Sequence, residues 1–167
     1  MWMACTRKLP SPSRPLARVA FLGVLLLGAA GVVRAGALAV VVHPSVEVDD
    51  LSFNEFRKIM RADRQFWSSG QRITLIVRAP VSAERTQLLD KVYKMTEAQY
   101  RQYWVAKVFR GETTDGPRVV LSNEQAVDLV SVLDGAVTVV DLADVPEGLK
   151  LLRINGSLPG DSGYPFN

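Results

Sequence analysis

Arg78, Ser82 and Arg85 fall within one short segment, Arg78-Ala-Pro-Val-Ser82-Ala-Glu-Arg85-Thr86, whose residue types suit the capture of an oxyanion. A guanidinium presents a planar fork of donors that matches two oxygens at once, and a serine hydroxyl adds a third donor. The segment lies where the carboxyl end of a strand is expected to meet a helix N-terminus. Unpaired amides and the positive end of the helix dipole favour an anion at such a point. Glu84, in the first turn of that helix, supports the helix but repels a dianion. The competing reading of the same residues is plainer: Ser82 serves only as N-cap and the two arginines are solvated.

His43, Pro44 and Ser45 follow the first expected strand and are placed by that expectation at the same edge of the sheet as Arg78. A lone histidine makes no metal site, and no HxxH, HxxxH or HExxH spacing exists. His43 with Ser45 and Asp49 or Asp50 offers the residue types of a hydrolytic triad. Nucleophile and base so close in sequence rarely reach triad geometry, and no G-x-S-x-G elbow is present. Neither catalysis nor a cofactor is therefore expected. Trp67 and the set Tyr100, Tyr103 and Trp104 sit at helical or loop-anchor spacings that belong to a core or interface. Arg57, Lys58, Arg61 and Arg64 read as a solvated helix face.

The elements that must position these residues alternate between strand and helix. Leu38–Val42 is a short β-branched run closed by His43-Pro44-Ser45, the mark of a buried strand. Ser52-Phe-Asn-Glu55 is a capping box, with Leu51 and Phe56 at the staple positions, and the helix it opens directs Phe53, Phe56, Ile59 and Met60 inward. Ile73–Val77 is a second strand, followed by a helix from about Ala83 to Lys94 with Ser82 as N-cap. Thr96, with Gln99 at N3, starts another helix carrying Tyr100, Tyr103, Trp104 and Val108. Val119–Leu121 is a third strand. Ser122 caps a helix to about Leu133, Gly135 suits its left-handed end, and Ala136–Val140 and Leu149–Ile154 are further strands. From Asn155 onward a Gly/Pro/Ser/Asn-rich tail (155–167) is expected along the surface. Strands alternating with helices imply crossover connections, hence an α/β fold with a mainly parallel sheet flanked by helices.

The first 37 residues have a different character. Arg7, Lys8, Arg14 and Arg18 precede a fifteen-residue apolar run, Val19–Val33, and small residues follow Arg34. Spanning a bilayer takes about 20 apolar residues, so this run is short, and its order is that of a secretory signal peptide cut near residues 35–37. The whole chain carries 20 basic and 17 acidic residues, a net of +3; residues 1–37 hold five of the basic ones and no acidic one. From Leu38 on there remain 15 basic and 17 acidic residues, a net of −2. The basic balance belongs to the leader, so it does not point to nucleic acid. Cys5, the one cysteine, lies in the leader too, which leaves residues 38–154 a cysteine-free domain without disulfide, thiolate or Cys–metal chemistry. The expected location is the periplasm.

With these segments placed, the chain resembles the periplasmic phosphate-binding proteins of ABC transporters, from about Leu38 to Phe166. The features that carry the likeness come in order: the strand and polar loop Leu38–Ser45, the helix Leu51–Met60 ahead of Trp67 and Gly70, and Arg78 with Ser82, similar to the family's R-x-x-x-S-G-T. Tyr103-Trp104, Phe109-Arg110-Gly111, Asp134-Gly135-Ala136 and Gly160-Asp-Ser-Gly-Tyr164-Pro165 follow. The resemblance implies a fold like a single lobe of a periplasmic binding protein. It also implies phosphate or a similar oxyanion as ligand, contacted by Arg78 and Ser82 with Ser45 a looser candidate, and a link to ABC-type uptake or sensing through a membrane transporter or sensor. Ala83 and Glu84 stand where the family has Gly and Thr. One lobe supplies one wall of a cleft, so a second lobe or a homo-oligomer is expected to complete it. The rival expectation is an interaction module that has kept the fold and lost the ligand.

Overall fold

The computed structural model describes residues 36–167; the expected signal peptide lies outside the described residues, save for its last two positions. The elements are β1 (Leu38–Val42), β2 (Asp50–Leu51), α1 (Phe53–Met60), β3 (Thr74–Arg78), α2 (Ala83–Leu88, running on into a π turn, Leu89–Tyr93), α3 (Glu97–Phe109), β4 (Arg118–Val120), α4 (Asn123–Val132), β5 (Ala136–Asp141), β6 (Lys150–Leu151) and β7 (Arg153–Ile154). A 3₁₀ turn, Leu142–Asp144, follows β5.

The main sheet has the order β4-β3-β5-β1-β6, and β2 pairs with β7 beside it. Strand β3 is parallel to β4 and to β5, whereas β1 runs antiparallel to both β5 and β6. Four of the five strands thus share one direction, and the fold is mixed α/β with a mostly parallel sheet between helices. All five residues of β1 are buried, because it is a central strand covered on both faces. Leu38, Val40 and Val42 face one core layer, with Val137 and Val139 of β5 and the aromatic residues of α1 and α3. Ala39 and Val41 face the other, where Ala126, Val127 and Val130 of α4 cover Ile76, Ala136 and Val140.

Local chemistry fixes the helix starts. Ser52 Oγ accepts from Glu55 N (3.2 Å) while Glu55 Oε2 accepts from Ser52 N (3.0 Å), and Thr96 with Gln99 repeats the box at α3. Ser82 and Ser122 each accept from the amide three residues on, at Arg85 and Gln125. Satisfying an otherwise orphaned amide in this way stabilises a helix by about 1 kcal/mol.

Two expectations fail on tertiary grounds. Because β1 is antiparallel, His43 and Ser45 emerge beside the start of β3 and β5, with His43 N donating to Ala136 O (3.0 Å). They lie at the edge opposite Arg78. The C-terminal segment does not merely lie along the surface: Tyr164 and Phe166 are core residues. Tyr164 Oη accepts from Val40 N (3.0 Å), an amide that the short strand β6 leaves unpaired, and Phe166 stands edge-on to Phe56 at 5.8 Å between ring centroids. A buried amide needs a partner, and the tail supplies it.

Candidate functional site

Two parallel strands, β3 and β4, end side by side in serine-capped helices, and this shared edge carries Arg78 and Ser82. Ala79 N donates to Val120 O (2.8 Å), which locks the two strand ends together. The turn from β3 to α2 passes through Val81 at φ +78°, a conformation costly for a β-branched residue, with the side chain 97% exposed. Ser82 then takes its capping geometry, and Thr86 Oγ1 donates back to Ser82 O (2.9 Å).

The arginines of this segment are neither free nor solvated. Arg78 Nε lies 3.6 Å from Glu84 Oε2, with both side chains largely buried. Glu84 Oε1 accepts from Asn123 Nδ2 (2.7 Å), and the same amide nitrogen also reaches Asp144 Oδ2 (2.7 Å). Glu84 of α2 thus meets Arg78 of β3 and Asn123 at the start of α4, and Asn123 in turn bridges to Asp144 in the turn after β5. Burial pushes the Glu84 carboxyl up; the Asn123 bond, its own backbone amide, the Ser82 hydroxyl and Arg78 outweigh that and hold it below the usual carboxylate range. Glu84 is thus an anion at neutral pH, seated against the guanidinium. Arg78 Nε and Nη1 are buried and make no hydrogen bond among the described residues.

Arg85 points elsewhere. It forks onto Glu97 (Nε to Oε2 and Nη2 to Oε1, both 3.0 Å) and stacks on Tyr100 with 3.7 Å from guanidinium carbon to ring centroid. The bidentate geometry anticipated for a ligand is realised on a carboxylate of α3, and the side chain is 4% exposed. Burial would lower the Arg85 pKa, but the Glu97 bonds and Tyr100 raise it. Its role is to tie α2 to α3.

Ser45 stands at the opposite edge. Its Oγ is 2.7 Å from His43 Nδ1 and accepts from Gln71 Nε2 (3.0 Å), while Asp134 Oδ1 lies 3.4 Å from that same Nδ1. A relay needs serine and aspartate on different ring nitrogens, so this trio does not form a triad. No group of three or more potential metal ligands occurs among the described residues. The site thus unites Arg78 and Ser82, and the structure brings neither Arg85 nor Ser45 to them. Sequence reasoning missed Asn123 and Asp144. The available signal was the repetition of strand, serine cap and helix at Ser82 and Ser122, which places both caps at one sheet edge.

No family model and no curated protein matches the chain. Solved structures do. The chain superposes on PstS from Borrelia burgdorferi with a TM-score of 0.59 and 19% identity, covering 74% of this chain and 49% of that one. An ABC-type phosphate transport receptor from Vibrio cholerae gives 0.60 and 18%, covering 74% and 48%. A phosphate ABC transporter substrate-binding protein with bound phosphate from Clostridium perfringens gives 0.60 and 15%, covering 74% and 47%. The fold is therefore that of phosphate ABC transporter substrate-binding proteins. The chain spans about half the length of these structures, as a single lobe does.

Proposed function

We propose that this chain is an exported, non-enzymatic domain of the solute-binding type whose anion position is closed by its own Glu84, and that it acts by contact with an envelope transporter or sensor. The observation that carries this reading is the placement of the Glu84 carboxylate 3.6 Å from Arg78 and fixed there by Asn123. A phosphate entering the same turn meets a buried like charge beside the one arginine positioned for it. Like charges sharing a desolvated site repel strongly. Val81 and Leu121, both strongly exposed, flank the closed turn and give the edge an apolar rim where a partner or second lobe fits.

A second reading, a binding site for phosphate or a similar oxyanion, draws on one observation: two donors of Arg78 are unsatisfied. Calorimetric titration with phosphate separates the two. The wild-type protein is expected to show no heat of binding at concentrations of roughly 1 mM. The double variant Ala83→Gly, Glu84→Thr removes the internal carboxylate, lets the backbone approach, and is expected to gain phosphate affinity. Micromolar binding by the wild type would establish the oxyanion reading instead. N-terminal sequencing of the secreted product tests export: the expected first residue is Gly36 or Leu38.

A further inference from the structure

A cavity of about 700 Å³ opens at the other end of the sheet, between the end of α1, the start of β3, the loop before β4 and α3. Its polar lining includes three arginines, Arg64, Arg72 and Arg118, against one carboxylate, Asp115. None of the three arginines forms an ion pair among the described residues. The nearby acids are engaged elsewhere: Glu112 with Arg110 (2.5 Å) and Lys107 (3.7 Å), and Asp63 with Lys107 (2.6 Å) and Arg61 (3.6 Å). Each lining arginine keeps most of its donors unused. Arg64 spends Nε on Phe66 O (3.0 Å), Arg72 spends one nitrogen on Thr114 Oγ1, and Arg118 makes no side-chain hydrogen bond among the described residues.

Three arginines against one aspartate leave the lining with a net charge of +2. Ile73 and Leu75 give it an apolar strip, with the fully buried Ile59 behind them. An inorganic oxyanion fills only a small part of this volume; pockets of this size hold organic ligands.

We propose that this cavity binds an organic anion: a small molecule with a ring or short aliphatic body packed on Ile73 and Leu75, and a carboxylate, sulfonate or phosphate ester held by Arg72 and Arg118. This site lies at the start of β3 and is separate from the Arg78 turn at its end.

Two probes of the same ring system test it in the purified protein: anilinonaphthalene sulfonate, which carries the anion, and N-phenyl-naphthylamine, which lacks it. The sulfonate is expected to bind saturably and at least about tenfold more tightly than the neutral probe. The double variant Arg72→Gln, Arg118→Gln, altered at two exposed positions, should melt with the wild type and bind the sulfonate at least about tenfold more weakly. Equal affinity for the two probes, unchanged sulfonate affinity in the double variant, or no saturable binding below roughly 1 mM overturns the proposal.

Discussion

The two ends of the sheet make opposite use of arginine. At the carboxyl ends of β3 and β4, Arg78 faces Glu84, and on the helix that follows Arg85 forks onto Glu97, so that each cation has an internal anion. At the amino ends, Arg64, Arg72 and Arg118 surround a cavity with one carboxylate on its wall. The residues nearest to a phosphate-binding motif are neutralised, while arginines outside any motif stand open. A guanidinium is always charged, and what determines its availability is whether the fold brings a carboxylate to it.

The largest expected effect undermines the open end through its backbone. Gly135 has φ +70°, and a Cβ built there would lie 2.3 Å from Arg72 O. Its carbonyl also accepts from Trp67 Nε1 (3.0 Å) and Thr74 N (3.2 Å). Gly135→Ala should destabilise the protein by about 2–4 kcal/mol, read from a denaturant or thermal melt. Retention of wild-type stability would show that the backbone at Gly135 does not approach the Arg72 carbonyl this closely.

Arg85→Met comes next. It removes one partner of a largely buried pair and leaves Glu97, which solvent partly reaches, so the cost should be about 2 kcal/mol rather than the full cost of an isolated buried charge. A loss within error of zero would place Arg85 among the solvated arginines and erase the contrast with the open end.

Glu84→Gln sharpens the comparison through pH. The folded-state carboxyl is held below its ordinary value. The unfolded chain therefore binds more protons between the two pKa values, and stability rises with pH across that window. The Glu84 contribution is complete above about pH 4.3, the ordinary carboxylate value, and is lost as pH falls through the folded pKa. At neutral pH the variant should be less stable by about 1 kcal/mol, and the gap should close in acid. Parallel stability curves at all pH values would show that the ionised Glu84 carboxylate, with its contacts to Asn123, Ser82 and Arg78, contributes nothing.

The smallest expected effect is the matching control. Arg118 is exposed and unpaired among the described residues, so Arg118→Gln should change stability by no more than about 0.5 kcal/mol. A larger loss would reveal a partner that makes the open end closed after all.

Much of the local structure was legible in the residues alone. Ser52 with Glu55, Thr96 with Gln99, Ser82 and Ser122 all begin helices where the sequence places them, and Leu38–Val42 is a strand with the bounds its β-branched run marks. These signals work because a cap is a bond between a side chain and an amide three residues away, complete before any long-range contact forms. What each cation faces was not legible. Glu84 meets Arg78 six positions back only because the turn through Val81 folds α2 over the strand end, and Asn123 reaches Glu84 across 39 residues.

The direction of β1 was decided by tertiary structure alone. Its partner β5 lies about a hundred residues on, with Leu38 opposite Asp141, and an apolar run reads the same whether its neighbour is parallel or antiparallel. That single choice carried Ser45 away from Arg78. The tail shows the same limit from the other side. Its composition of Gly, Pro, Ser and Asn describes a surface segment, yet Tyr164 completes the hydrogen bonding of Val40 and Phe166 closes the aromatic cluster over α1. The sequence determined where helices and strands start, since those instructions are local. The fold determined which charges meet and which amides need a distant partner, since those depend on chain segments that only three dimensions bring together.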